Sequence, residues 1–297
     1  MVIIMPWMLN EGKFNNNTYL FDSFQCDAEY SMGYYILQGT KKRALIDTSG
    51  PIEAERFAKR IKNLDLIPDI LILTHSHWDH AQGLSKLVNS MKDVDVEILA
   101  SENAVKNLRH PEKMIKGFEA FDQVYPFEGE IIPLKEGDII DINGLELEVQ
   151  NLFGHTMDSI GLFDKINKNI YIGDAAIEKL AQDAFFVPLM PPNFHEQELL
   201  KTFDKLRDMR RDLNSISLAH FGVWTDTHFG QILDEMEDLY FKVKDSLIEW
   251  FNENPSIDVI TRKYCRSFIP TSKSWNENLF AFLVEMMING LKLSGFI

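Results

Sequence analysis

Cysteine is the first scarcity. The chain holds only two, Cys26 and Cys265, far apart in its 297 residues, which excludes a disulfide framework and a cysteine-based zinc cluster. Positive charge is also short, with 30 Lys and Arg against 45 Asp and Glu for a net −15. Such a balance repels polyanions and argues against nucleic acid as a partner. No stretch reaches the ~18 apolar residues of a membrane span. The apolar start, Met1–Asn10, lacks a basic residue and is interrupted by Pro6, unlike a secretory leader; the expected location is cytoplasmic. A Gly-x-Ser-x-Gly elbow is missing too, so hydrolysis through a serine nucleophile is disfavoured.

What remains is an ordinary globular composition, 45% hydrophobic and 25% charged, long enough to bury a large core. Short apolar, β-leaning segments at Tyr34–Gln38 and Ala44–Asp47 predict strands, the second broken by Thr48-Ser49-Gly50-Pro51. Ala54, Phe57, Ala58 and Ile61 have helical spacing over Glu53–Asn63. Ile70–Leu73 is a continuous apolar run that predicts a buried strand ending at Thr74-His75. Leu84–Met91 and Glu102–Leu108 read as helices, Ser101 being an N-cap for the latter, with a strand at Val94–Ala100. Asn143-Gly144 between Ile139–Ile142 and Leu145–Val149 predicts a type I′ hairpin. Strands at Ser159–Phe163, Asn169–Gly173 and Ser215–Ala219 and a helix over Glu196–Leu213 complete an α+β pattern of two sheets covered by helices.

The last seventy residues differ. An amphipathic helix over Gln231–Phe251 stops near Asn254-Pro255, and shorter helices follow. The reading is a catalytic domain at 1–228 and a small helical extension at 229–297, of winged-helix type or plainly helical. From Phe229 onward there are ten acidic and seven basic residues, a local −3; packing, dimerisation or cover over a site suits it better than a nucleic-acid-reading wing.

The decisive segment is Thr74-His75-Ser76-His77-Trp78-Asp79-His80. At an extended strand end His75 and His77 project to the same side, because the side-chain period is two. The chain then turns and presents Asp79 and His80 to a neighbouring point. One short loop thus supplies two imidazoles to one metal, and a carboxylate plus an imidazole to another.

The run His75-x-His77-x-Asp79-His80 resembles the signature of the metallo-β-lactamase superfamily, and other stations of that family follow in order from Asp47 to His220. Asp47, in Leu-Ile-Asp-Thr, resembles the acidic residue that supports the metal loop from behind. His155 in Gly-His-Thr, Asp174 in Gly-Asp and His220 in Ala-His-Phe-Gly resemble the remaining ligands, although the last departs from the Gly-His-Gly context common in relatives. The resemblance implies a four-layer αββα sandwich. It also implies a first metal on His75, His77 and His155, a second on Asp79, His80 and His220, and Asp174 as the bridge. Imidazole and carboxylate without thiolate suit two divalent ions, zinc first, with iron or manganese as alternatives.

Metal-activated hydroxide is then the expected nucleophile, with Asp79 orienting it or accepting its proton. Trp78, His195 and His228 are candidates to border the substrate. Phe186, within the apolar run Phe185–Pro192, either packs in the core or walls an apolar substrate group. A thiolate-type β-lactamase would need cysteine where Asp174 stands. The leading expectation is hydrolysis of a small ester, thioester or lactone. A metal-dependent nuclease comes second, discounted for charge, and a mononuclear iron persulfide oxygenase third, since the second ligand set is intact. A small-molecule substrate is the expected partner, neither nucleic acid nor membrane is, and homo-oligomerisation is left open.

Overall fold

Alternation decides which face each strand shows to which layer. Along Ile70–Leu73, Ile70 and Ile72 enter one apolar cluster while Leu71 and Leu73 enter another, as a period of two requires. A strand buried on both faces belongs inside a sheet with layers on either side. The computed structural model, which describes residues 10–117, 124–180, 184–225, 229–273 and 277–297, places it there.

The first sheet runs in chain order: β1 (Gly12–Lys13), β2 (Thr18–Asp22), β3 (Gly33–Gln38), β4 (Arg43–Ile46), β5 (Ile70–Leu73), β6 (Glu97–Ser101) and β7 (Ile132–Leu134). Pairing is antiparallel from β1 to β4 and parallel from β4 to β7. The parallel crossovers carry helices: α1 (Pro51–Asn63) links β4 to β5, and α2 (Trp78–Ala81) and α3 (Leu84–Ser90) link β5 to β6. After β6 comes α4 (Glu102–Arg109), whose N-cap Ser101 accepts a hydrogen bond from the Ala104 N–H at 3.1 Å.

The second sheet contains β8 (Ile139–Asp141), β9 (Glu146–Asn151), β10 (Ile160–Asp164) and β11 (Asn169–Tyr171). A separate hairpin, β12 (Glu178–Leu180) and β13 (Ala184–Phe186), precedes β14 (Ser215–Ser217) and β15 (Val223–Thr225), and the sheet order is β15-β14-β11-β10-β9-β8. Asn143 and Gly144 have φ of 60° and 90°, the double positive φ of a type I′ turn, and join β8 to β9. The outer helices are α5 (Glu196–Asp208), α6 (Phe229–Glu253), α7 (Ile257–Phe268) and α8 (Glu277–Leu293).

Three apolar clusters define the layers. Tyr35, Leu37, Ile46 and Ile72 of the first sheet meet Leu147, Val149, Ile160 and Leu162 of the second between the sheets. Phe57 and Ile61 of α1, with Leu84 and Leu87 of α3, cover the other face of the first sheet. Leu199 and Phe203 of α5 cover the second, and Met236, Tyr240, Tyr264 and Val284 of α6–α8 belong to that same cluster. The result is the four-layer αββα sandwich with C-terminal helices.

Two local differences from the sequence reading have simple causes. The helix expected over Glu196–Leu213 is α-helical only to Asp208, and Met209–Asp212 tighten into a 3₁₀ turn, a common way to close a last turn. The run Phe185–Pro192 is part strand, with Phe185 and Phe186 buried in the core under the outer helices. Among the described residues, 229–297 holds three helices and no strand, so it shows no wing. No helix among the described residues is long and apolar enough to cross a membrane.

Candidate metal centre

Four strands deliver the chemistry to one edge of the sandwich. After β5 come His75 and His77, and the single-turn α2 carries Asp79 and His80. His155 follows β9, Asp174 follows β11 and His220 follows β14. Backbone geometry at two glycines allows the approach. Gly154 has φ 132°, and a Cβ there would stand 2.3 Å from the Leu199 Cα; Gly173 has φ 55°, and its Cβ would meet Thr74 Oγ1 at 2.9 Å. Neither position takes another residue without strain. They seat His155 against α5 and Asp174 against the β5 end.

The seven side chains form one cluster. Asp174 Oδ2 is its hub, 3.2 Å from His80 Nε2, 3.4 Å from His220 Nε2, 3.5 Å from His155 Nε2 and 3.8 Å from His75 Nε2. Asp79 Oδ2 lies 3.6 Å from His220 Nε2 and 3.9 Å from His80 Nε2. His155 Nε2 and His77 Nδ1 are 2.9 Å apart. Donor atoms of His75, His77 and His155 fall within 4.8 Å of one another, as do those of His75, His80 and Asp174, and those of Asp79, His80 and His220.

The ring nitrogens that face away from the hub are held by the surrounding chain. His80 Nδ1 donates to Asp47 Oδ2 at 2.9 Å. His220 Nδ1 donates to the Ser31 carbonyl at 2.9 Å, and His155 Nδ1 to the Pro188 carbonyl at 3.3 Å. His75 Nδ1 lies 3.1 Å from Thr74 Oγ1, which donates to Asp47 Oδ2 at 2.8 Å. Such contacts fix tautomer and ring orientation in metal-ligating histidines.

Charge is distributed unevenly. Burial pushes His75 well below the usual histidine range, helped by the neighbouring His80. Burial likewise takes His77 and His155 down to about 3, against the pull of Asp174. Burial also opposes charge on His80 and His220, but Asp174 and Asp79 outweigh it and raise both, with Asp47 adding to the effect on His80. Asp174 is held well below the carboxylate range, because His80 and His220 overcome the cost of its burial.

The residues fit a metal. His75 Nε2 and Asp174 Oδ1 are buried without a hydrogen-bond partner, and buried polar atoms of that kind call for an explanation. A cation between them satisfies both. The donor set is nitrogen and carboxylate oxygen with no thiolate, which suits a divalent ion such as zinc, iron or manganese.

The other sequence candidates are dispersed. Asp47, at φ 60°, sits behind the cluster and touches Thr74 and His80. Phe186 is buried with its ring centroid 5.7 Å from that of His220. Trp78 is half-buried against the outer core. His195 is exposed and caps α5, accepting from the Glu198 N–H at 3.4 Å. His228 lies outside the described residues. Sequence reasoning missed Ser31 and Pro188 because they act through main-chain carbonyls, which leave no signal in residue type. It also missed Gln25, whose Nε2 donates to the Asp79 carbonyl at 3.3 Å.

The family model described as the metallo-β-lactamase superfamily matches residues 33–220, a span that contains Asp47 and all seven clustered residues. The chain is 33% identical over 144 residues to hydroxyacylglutathione hydrolase GloC of Haemophilus influenzae, covering 46% of this chain and 63% of that protein. It spans from 24% to 63% of the length of the curated hydroxyacylglutathione hydrolases it matches. Among solved structures, a metallo-β-lactamase family protein of Thermus thermophilus aligns with a TM-score of 0.62 at 17% identity, over 98% of this chain and 94% of that one. An archaeal protein of the same superfamily from Sulfolobus tokodaii aligns with a TM-score of 0.61 at 13% identity, over 95% of this chain and 100% of that one. At these identities the structural likeness speaks to the fold.

Proposed function

Because the chain belongs to the metallo-β-lactamase superfamily, we propose that it is a binuclear metal-dependent hydrolase acting on a small ester, thioester or lactone. The observation that carries this reading is the position of Asp174 Oδ2 among four imidazole Nε2 atoms at 3.2–3.8 Å. That oxygen lies near His75 and His155 of the first group and His80 and His220 of the second, which supports Asp174 as the residue shared between them. Two divalent ions, zinc first among the candidates, would supply Lewis acidity and a water whose pKa falls to about 7.

The chain's own residues do the rest. Asp79 is the most open member of the cluster's charged pairs, its side chain 16% exposed while Asp174 and the histidines paired with it are at 7% or less. It therefore faces the approach, where its carboxylate can orient a water or take up a proton. Burial excludes bulk water from the imidazoles and strengthens every electrostatic contact among them. Phe186, buried in the core, packs its ring against His220 and so helps hold that imidazole in place rather than lining a substrate face.

Surface charge supports a small-molecule substrate over nucleic acid. Arg207 pairs with Glu237 at 2.7 Å, Arg210 with Asp234 at 2.5 Å and Lys42 with Glu97 at 2.6 Å, so these basic residues are neutralised locally within a chain of −15. The second donor group argues against a mononuclear iron oxygenase, which needs only the first group and an aspartate. We treat 229–297 as an extension of the catalytic domain at 1–228.

The test is a hydrolysis panel of thioesters, lactones and single- and double-stranded RNA, run with metal-loaded and chelator-stripped protein. Metal-dependent turnover of an ester-like substrate supports the reading. RNA cleavage without ester turnover overturns it.

A further inference from the structure

Besides Asp47 and Asp174, a further buried carboxylate is bonded to the loops that carry the first ligand group, and none of the roles above uses it. Asp158 is 1% exposed. Its Oδ2 accepts from Ser76 Oγ, and from Asn107 Nδ2 at 2.8 Å; its Oδ1 accepts from Thr156 Oγ1 at 2.5 Å. Its main-chain carbonyl accepts from Ser101 Oγ at 2.7 Å, the same hydroxyl that caps α4. Thr156 Oγ1 also meets Ser159 Oγ at 2.7 Å.

The placement of the two hydroxyls is what matters. Ser76 stands between His75 and His77, and at an extended strand end its side chain leaves on the face opposite theirs. Thr156 directly follows His155. One carboxylate therefore grips both loops that carry His75, His77 and His155, each within one residue of a ligand. Ser76, Thr156 and Ser159 are themselves at 4% exposure or less, so these bonds are shielded from competing water and are costly to leave unmade. Asp47 works elsewhere: it holds His80 directly and reaches His75 only through Thr74.

We infer that Asp158 is a positioning residue that fixes the spacing of the His75–His77 and His155 loops, and so sets metal affinity at the first group alone. The inference rests on the metal-site reading proposed above. Outer groups of this kind are worth about 10–100-fold in metal affinity in other metal sites.

Competition titrations against a chromophoric chelator, with Zn²⁺ as the probe, test it on the full chain. Wild type, Ser76→Ala, Asp158→Asn and Asp79→Ala are compared, each metal-free protein also being melted thermally. In the Asp79→Ala background only the first group remains, and adding Ser76→Ala there weakens Zn²⁺ binding about 10-fold or more with little change in the metal-free melting temperature. In the otherwise native chain Ser76→Ala and Asp158→Asn each weaken one binding step and leave the other within a few-fold. Combining them costs no more than Asp158→Asn alone, since both remove one contact. Equal weakening of both steps, or unaltered affinity in Ser76→Ala, overturns the inference. If wild type binds a single ion, the binuclear reading fails by itself, and the effect of Ser76→Ala on that ion still decides the role of Asp158. Ser76→Ala serves as the decisive variant should Asp158→Asn not fold.

Discussion

Asp47 holds His80 from behind: Nδ1 of the imidazole donates to Oδ2 of the carboxylate at 2.9 Å, and neither side chain is more than 2% exposed. The other oxygen accepts from the Thr74 backbone N–H at 2.8 Å. The carboxylate thus joins the end of β5 to α2 and directs His80 Nε2 toward Asp174. Asp47→Asn is expected to weaken metal binding at the second group about 10–100-fold, and a chelator-competition titration measures it. Unchanged affinity would remove Asp47 from the site.

Asp79→Ala is expected to leave about one metal per chain, with loss of most turnover. Asp79 belongs to none of the apolar clusters, so the far-ultraviolet circular dichroism should stay that of the wild type. Elemental analysis beside the activity assay reads both effects. Wild-type turnover by this variant contradicts its assigned role.

Gly154→Ala tests the seat of His155. At φ 132° and with Leu199 Cα 2.3 Å from the added Cβ, either the loop or α5 must move. The expected outcome is a lower melting temperature together with weaker binding of the first metal. Thermal denaturation and metal titration unaffected by the change would show that the close approach is not needed.

Asp22 sets a pH dependence. Burial raises its carboxyl to about 6, against hydrogen bonds from the Tyr30 and Phe24 N–H groups. The folded chain therefore holds this proton more tightly than the unfolded chain, whose carboxyl has the ordinary value near 3.8. Its contribution to stability is complete below about pH 3.8 and is lost as pH rises through about 6. Denaturant midpoints measured from pH 4 to 7 should show this component in wild type and not in Asp22→Asn. An NMR titration midpoint near 4 for Asp22 would contradict it.

Local patterns were legible in the sequence where they set local geometry. The offsets of His75, His77, Asp79 and His80 gave a ligand loop because strand alternation followed by a turn needs no tertiary information. Asn143-Gly144 specified its hairpin for the same reason, through two positive φ values. Other features depend on the folded context. Ser31, Pro188 and Gln25 reach the site through long-range contacts. Asp158 was not singled out in the sequence, and gains its role only when the fold buries it against Ser76. The β12–β13 hairpin was missed because Phe185 and Phe186 owe their strand to packing under the outer helices, not to alternation.

RNA and DNA are expected to bind weakly at physiological salt with a shallow salt slope, because a chain of net charge −15 repels the phosphate backbone and so displaces few counterions. Titrating binding to single- and double-stranded RNA from 50 to 200 mM salt, ~4-fold in concentration, checks this. Submicromolar affinity with a steep slope would reopen nucleic acid as a substrate.

The central claim is that Asp174 stands between two metal ions. Anomalous diffraction from crystals of protein loaded with zinc, collected on both sides of the absorption edge, reads it directly. The account predicts two anomalous peaks on either side of the Asp174 carboxylate, one in contact with His75, His77 and His155 and the other with Asp79, His80 and His220. A single peak, or peaks away from Asp174, would contradict it.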